Sequence, residues 1–553
     1  MSTPSATAPT TAFPDERRAW QILIVLCLAV FMLLLDTTVV NVAQVKIKES
    51  LGASLTQIQW ILDSYILAYA VLLLSFGRLG DIYGRKRFFM IGMAIFTTAS
   101  VLCGASEWIG NQTGLSGVYL LIFFRVLQGV GGAFMMPQSL SLLTVNFPPE
   151  RRGAALGIWG SVVALGAIIG PIVGGLIVTD YSWPWIFLIN LPVGIVSLFL
   201  VHRIVPESKD PLASHKIDWT GVVLSGVGIF CLVFACIEGN RLGWTDPVIL
   251  GLFLASAILM GVFVWWERRV ADPIVKIELF QHRNFTVANI IAMVVAFGML
   301  GIFFPMTLFL QEVLGFSPIK AGLAMTPMSL MILVGAPIAG RLSDRIGPRW
   351  LLFAGTAIMA IGILFITYQV STETTIASLA PALIVTGIGM GMTFSPMTAA
   401  AMRDVPPRVA GSASGVLNTT RNIGQVLGIA ILGSVLQTRM GTHTADGLAP
   451  LGLDKATSDK VVELASQNQF EQIIPLVPAN QIGALMDILK EAFVQSIHNT
   501  FVVGAIACGI ASLLALLLRN PKLATVTVNA PASAPETIER AEAAIADGTA
   551  YPA

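Results

Sequence analysis

The chain has 553 residues, 55% of them hydrophobic and only 12% charged. Soluble globular domains carry about 25% charged residues, so this composition excludes an ordinary soluble domain and also a disordered, charge-rich one. The formal net charge of +1 excludes recruitment of nucleic acid, or of any acidic partner, by bulk electrostatics.

In chain order, the first 19 residues open on a Ser/Thr/Pro/Ala-rich stretch, Met1 to Pro14, and read as a disordered extension. The apolar run Trp20 to Val45 is too long for the hydrophobic core of a secretion signal and has no small-residue cleavage site. It reads as a first membrane span. A helix needs about 20 apolar residues to cross a bilayer. On that rule the runs 20–43, 57–77, 88–107, 117–137, 154–178, 184–204, 217–238, 246–266, 285–311, 319–340, 350–369, 377–401, 411–436 and 494–518 are fourteen expected spans. Residues 437–493 form a long expected loop, with a surface helix near 458–472, and residues 519–553 a solvated Ala/Pro/Glu-rich tail. The five cysteines, at 27, 103, 231, 236 and 508, all lie in apolar runs and read as packing residues rather than a disulfide framework.

Most of the 33 Lys and Arg residues fall in alternate connections, among them Arg17, Arg18, Arg85–Arg87, Arg151, Arg152, Arg268, Arg269, Arg345 and Arg349. Basic residues concentrate on the cytoplasmic side of membrane proteins. Both termini are therefore expected in the cytoplasm and the 437–493 loop outside, in a multi-pass protein of a bacterial inner or plasma membrane.

An internal repeat organises these spans. Gly77-Arg-Leu-Gly-Asp81-Ile-Tyr-Gly84-Arg85 follows the second span, and Gly340-Arg-Leu-Ser-Asp344-Arg-Ile-Gly347 follows the tenth. Each joins the second and third members of a six-helix set. The expected fold is all-α: a first bundle over 20–204, two extra helices with their linkers over 205–283, and a second bundle over 284–518. Parallel repeats of this kind build transporters with a site between the halves.

Charges inside spans need a reason, because an ionised group in hydrocarbon costs several kcal/mol. Asp36 and Asp63 each lie about seven residues inside one end of their spans, roughly 10 Å deep at 1.5 Å per residue, and Arg125 lies at a similar depth in the fourth. All three are expected to converge facing the bundle interior. A carboxylate caught between burial, which favours its neutral form, and a nearby Arg, which favours its charged form, suits exchange of a proton against a cargo molecule. Gly166, Gly170 and Gly174 recur every fourth residue and line one helix face, which allows close helix approach, and Pro171 removes a backbone donor that would otherwise hold the helix straight.

Four segments carry a resemblance. The 77–87 loop, Leu35-Asp36-Thr37-Thr38-Val39-Val40-Asn41-Val42-Ala43, Arg125-Val-Leu-Gln128-Gly129-Val-Gly131-Gly132-Ala and Gly166-Ala-Ile-Ile-Gly170-Pro171-Ile-Val-Gly174-Gly175 together resemble the motifs of the major facilitator superfamily, and within it the fourteen-helix drug/proton antiporters. The resemblance spans roughly residues 18 to 520. It implies proton-coupled export of hydrophobic or cationic drugs by alternating access, with coupling through Asp36, Asp63 and Arg125. It makes Gly77, Asp81, Gly84, Arg85 and Asp344 a latch between the halves, and the 166–175 glycines with Pro171 an antiporter motif. The family's quaternary-ammonium exporters place an acid where Asp63 stands, and others on the thirteenth helix. Here that helix reads Val416-Leu417-Asn418-Thr-Thr-Arg421-Asn422, without an acid, which weighs against dication export.

Aromatic and Met side chains suit a promiscuous apolar chamber. Trp60, Tyr65, Met136, Phe309 and Gln311, with Asp63, Asn418 and Arg421, are the expected cargo contacts. Glu238, at the end of the seventh span, reads as solvated. Nothing marks an enzyme: there is no H-E-x-x-H or G-x-S-x-G segment, and the five histidines show no metal-ligand spacing. The absence of a phosphate-binding loop argues against ATP as the energy source. Protons are the only coupling species expected, with no metal or organic cofactor. The partners expected are small hydrophobic or cationic molecules and the bilayer. An accessory periplasmic protein stays open, as does export of one endogenous metabolite or lipid on the same scaffold.

Overall fold

In the computed structural model, which describes residues 14–148, 151–210, 213, 216–466 and 469–520, local chemistry sets the helix ends. The first helix, α1 (Glu16–Leu51), stops where Gly52 takes a φ of 61°, a left-handed conformation that glycine adopts without steric cost. α2 (Leu55–Tyr83) starts on a capping box, in which the Ser54 hydroxyl accepts the Gln57 N–H and the Gln57 side chain accepts the Ser54 N–H. α2 ends at Gly84, φ 117°. The N–H groups of Lys86 and Arg87 donate to the Glu207 carboxylate (3.0 and 3.1 Å), so an acid caps the start of α3 (Arg85–Thr113). α4 (Gly117–Asn146) and α5 (Arg152–Asp180) follow.

The span expected at 184–204 is broken into α6 (Trp185–Leu188) and α7 (Asn190–Ile204). Pro192 has no N–H to give the Leu188 carbonyl, so the ladder cannot run through. The inserted pair is α8 (Trp219–Leu242), capped by Asp218, and α9 (Pro247–Glu267), capped by Asp246 with proline in the first turn. α10 (Arg283–Leu308) passes into a π turn over Phe309–Val313. The tenth expected span is split into α11 (Pro318–Ala324) and α12 (Thr326–Ile346), and Pro327 again removes a donor at the join. α13 (Pro348–Gln369), α14 (Ile376–Arg403), α15 (Ala410–Leu448), α16 (Lys455–Ser466), α17 (Phe470–Ile473) and α18 (Ile482–Ala515) complete the chain.

Among the described residues, 11 helices are long and apolar enough to cross a membrane. α5, α10 and α12 are long helices at three further expected positions, so every expected span falls on helix. Large apolar side chains such as Trp108, Tyr119, Phe123, Leu254, Ile258 and Trp265 stand exposed around the outside. On a soluble protein such a surface would aggregate, whereas in lipid it is the solvated surface.

The expected 437–493 loop is shorter than its polarity suggested. α15 runs 39 residues and α18 34, well past the roughly 20 that hydrocarbon requires. Their projecting ends bury Met440, Leu448, Leu485 and Leu489 with Val461 and Ala465 of α16, a small apolar core that keeps the polar turns helical.

The internal repeat is visible in the packing. The second helix of each half lies against the fifth helix of the other: α2 on α15, and α12 on α5. The α8–α9 pair packs on the α2–α15 seam, where Leu67, Ala70, Ile229, Val233, Val426 and Ala430 form one buried cluster. The repeated loops also turn alike, Gly84 at φ 117° and Gly347 at 85°.

Candidate functional site

Asp36 of α1 is 1% exposed and has both oxygens occupied. Oδ2 accepts Arg125 Nη1 of α4 at 2.7 Å. Oδ1 accepts Gln128 Nε2, one turn further along α4, at 2.7 Å and Asn190 Nδ2 of α7 at 2.9 Å. Arg125 donates a further bond to Gln128 Oε1 (2.7 Å) and one from Nε to the Ile61 carbonyl of α2 (3.1 Å). Its guanidinium lies 4.3 Å from the centre of the Tyr65 ring. Asn190 also reaches Ser100 Oγ (3.0 Å), which donates to the Phe187 carbonyl (2.9 Å). Three helices of the first half, α1, α4 and α7, thus meet at one carboxylate, and α2 and α3 join through Arg125 and Asn190.

A pair so deeply buried balances a large desolvation cost against close Coulomb contact and extra hydrogen bonds, and removing one partner typically costs about 3–5 kcal/mol. Protonating Asp36 would likewise leave Arg125 without its counter-charge. The arrangement therefore ties the proton count of one carboxyl group to the packing of α1 against α4 and α7.

Asp36 and Arg125 meet as the sequence suggests; Asp63 does not join them. It is half-buried on α2 and makes no hydrogen bond or ion pair among the described residues. It lies on the side of α2 that faces α8, where Trp60 meets Phe234 (ring centres 5.8 Å apart) and Glu238 is within electrostatic reach. Glu238, expected to be solvated, is 5% exposed and pairs with Arg241 at 2.5 Å. α8 runs one turn beyond its apolar stretch and folds Arg241 back over the acid.

The cargo-contact candidates also divide. Met136 and Phe309 are 2% and 0% exposed and belong to the packed core rather than to a lining. Tyr65 is buried beneath Arg125, its hydroxyl without a partner among the described residues. Trp60 and Gln311 are half-buried. Asn418 accepts a hydrogen bond from Arg421 Nη2 at 2.9 Å. Arg421 stands between the rings of Phe394 (5.2 Å) and Trp159 (5.9 Å), one from each half.

The loop motif forms a second buried cluster. Asp81 Oδ1 accepts Arg85 Nε (2.9 Å), Arg85 Nη2 (2.6 Å) and the Gly411 N–H (2.8 Å), and Oδ2 accepts the Ser412 N–H (2.7 Å). Arg85 continues to the Pro407 carbonyl (2.5 Å). An acid of the first half therefore sits on the N-terminus of α15 in the second, where free N–H groups and the helix dipole favour negative charge. Asp344 repeats this in reverse: its oxygens accept the Gly153 and Ala154 N–H groups at 3.0 Å, at the start of α5. Gly77 permits the approach, since a Cβ there would lie 2.5 Å from the Gly411 carbonyl oxygen.

The glycine face of α5 packs on the helix that carries Asp36. Gly166 meets Leu34, Gly170 meets Thr38 and Gly174 meets Val39, while Thr38 Oγ1 donates to the Gly166 carbonyl (3.1 Å). Gly175 turns instead to Ile319 of α11 in the other half. The side chain of Pro171 lies outside the described set.

Asn190 and Ser100 went unread in the sequence. The available signal was an Asn two residues before a proline inside an apolar run, a place where a polar side chain needs a partner.

The family model described as Major Facilitator Superfamily matches residues 26–429. The chain is 31% identical over 520 residues to the tetracenomycin C resistance and export protein of Streptomyces glaucescens, covering 94% of this chain and 95% of the relative. It is 33% identical to the multidrug resistance protein Stp of Mycobacterium tuberculosis, covering 86% and 87%. Among solved structures, the proton:xylose symporter XylE bound to a glucose analogue aligns with a TM-score of 0.57 at 14% identity, covering 90% of this chain and 95% of that one. At that identity the likeness concerns the fold alone.

Proposed function

This chain belongs to the Major Facilitator Superfamily, and on that footing we propose that it exports hydrophobic, drug-sized molecules in exchange for protons, by alternating access between its two halves. It is a multi-pass membrane transporter, not an enzyme, and its curated relatives are antibiotic and multidrug resistance exporters. In this reading it occupies a bacterial plasma membrane with the Asp81 and Asp344 loops and both termini in the cytoplasm, and it needs no ATP and no cofactor beyond the proton.

The observation that carries the reading is the Asp36 cluster. Asp36 lies on α1, and two residues on, toward the opposite side, the same helix offers Thr38 to the glycine face of α5. A proton on Asp36 cancels the charge that holds Arg125, Gln128 and Asn190, so α1 is freed to shift along α5. α5 is itself capped by Asp344 of the second half, so its movement bears on the inter-half latch. Cargo binding between the halves and protonation of Asp36 then compete for one set of helix positions. Export of cationic molecules was expected on the strength of Asp63. With Asp63 at the α2–α8 seam, this reading commits to hydrophobic, drug-sized molecules, and the charge of the cargo is taken up below.

The test is transport by the purified protein in proteoliposomes, with a panel of neutral and charged fluorescent drug-sized probes under an imposed pH gradient. Gradient-driven accumulation that Asp36→Asn abolishes supports the proposal. Accumulation indifferent to the gradient would refute proton coupling. Export of one antibiotic, as the name of the Streptomyces relative describes for that protein, would appear as transport confined to a single member of the panel.

A further inference from the structure

Two arginines lie inside the spans of the two halves, and their surroundings differ in one respect. Arg125 has Asp36. Arg421, at the middle of the apolar run 411–436 of α15, makes no ion pair among the described residues. Its guanidinium stays protonated under all ordinary conditions. It is half-buried, and its hydrogen-bond partner is the neutral Asn418.

The groups around it come from both halves. Phe394 of α14 and Trp159 of α5 present ring faces at 5.2 and 5.9 Å, and Tyr69 of α2 is within electrostatic reach. Ring faces offset part of the cost of a cation, though less than an acid does. The indole N–H of Trp159 is buried with no partner among the described residues. The nearest intramembrane acid on α2 is not available to it. Asp63 precedes Tyr69 by six residues, which turns it about 120° around the helix at 3.6 residues per turn, toward α8. A cation with no acid paired to it among the described residues, walled by aromatic rings at the seam between the halves, is a recognition set for a planar acid.

We propose that the counter-ion of Arg421 is supplied by the cargo: the transporter takes aromatic or otherwise hydrophobic molecules that bear an acidic group, a carboxylate or phenolate, seated on Arg421 with the half-buried Phe394 against the ring system. This deepens the export reading and rests on its placing of the cargo between the halves. It explains why the apolar run 411–436 of α15 carries no acid, and why Asn418 turns its carbonyl oxygen to Arg421 and so orients the guanidinium.

Three probes that share one fluorophore test it: dansylglycine (an acid), dansylamide (neutral) and dansylcadaverine (a cation). Equilibrium binding to the detergent-purified full chain is measured by fluorescence with no pH gradient, so the outcome is independent of proton coupling. Wild type is expected to bind the acid about tenfold more tightly than the amine, the scale of one charge-assisted contact. Arg421→Gln is expected to lose that preference while its affinity for dansylamide stays within twofold, and Arg421→Lys to keep the sign of the preference at reduced size. Monodisperse elution and an unchanged melting temperature establish that the variants are folded. Tighter binding of the amine by wild type, no measurable binding of the acid, or equal loss of all three probes in Arg421→Gln would each overturn the assignment. If proteoliposomes show no gradient-driven transport while the charge preference follows Arg421, proton coupling has failed and the cargo assignment has survived.

Discussion

Two buried Asp–Arg clusters can be set side by side. Asp36–Arg125 is assembled within one half, from side chains of α1, α4 and α7. Asp81–Arg85 joins the halves, since three of its bonds end on Pro407, Gly411 and Ser412. The chemistry is nearly the same: a carboxylate with no exposure, a guanidinium at 2.6–2.7 Å and further donors on both oxygens. What differs, under the proposed alternating access, is what each would have to do during transport. The first cluster can lose its charge while its helices remain neighbours, which suits a proton site. The second must come apart whenever its end of the bundle opens, which suits a latch. An Asp–Arg pair therefore takes its role from whether it lies inside a moving body or between two of them.

The largest effect that would break this contrast is expected at Asp36. Asp36→Asn removes the carboxylate charge and leaves Arg125 uncompensated, a loss of about 3–5 kcal/mol. Gradient-driven probe transport should vanish, with a lowered melting temperature but retained membrane insertion. Asp81→Asn comes next. It puts an amide donor where Arg85, Gly411 and Ser412 all donate, and hydrogen bonds to a charged group are worth about 1.5–3 kcal/mol each. Here transport should fall but remain proton-linked. Spin labels at the exposed Arg87 and Arg408, one in each half, should show a longer, broader distance distribution; an unchanged distribution would remove the latch assignment.

Gly170→Val is expected to act on the join between the two. The added side chain collides with Thr38 of α1, an overpacking cost of about 1–3 kcal/mol. It should slow turnover more than it weakens probe binding, measured as a fall in maximal rate at similar half-saturation. The smallest effect belongs to the α2–α8 seam. Glu238→Gln keeps the shape and loses the pair with Arg241, and should leave the pH dependence of transport unchanged. A shifted pH profile would bring Glu238 and Asp63 into the coupling machinery.

How much of this was legible in the sequence depended on which coordinate mattered. Depth was readable, because 1.5 Å per residue is fixed, and it put Asp36 and Arg125 at one level. Azimuth was not. Asp63 lies at the same depth but faces α8, because the packing of Trp60 against Phe234 sets how α2 is rotated. The repeat at 77–87 and 340–349 was readable as a pattern, and its Gly84 and Gly347 turns follow from it. That each aspartate reaches the helix start of the opposite half was not, since Gly411 and Gly153 carry no signal of their own. The broken span at Ile189 was foreshadowed by Pro192, yet the use of the break, to aim Asn190 at Asp36, appears only in three dimensions. Hydropathy likewise ended α15 at the edge of the hydrocarbon, although buried Met440 and Leu448 carry the helix on.

The most direct test of the central claim is proton movement itself. With the purified protein in lightly buffered proteoliposomes enclosing a pH dye and loaded with dansylamide, the account expects probe efflux to move protons inward, matched in time with probe loss, in wild type and in Glu238→Gln but not in Asp36→Asn. Probe efflux from wild type at full rate with no pH change, or an undiminished proton signal in Asp36→Asn, would contradict it.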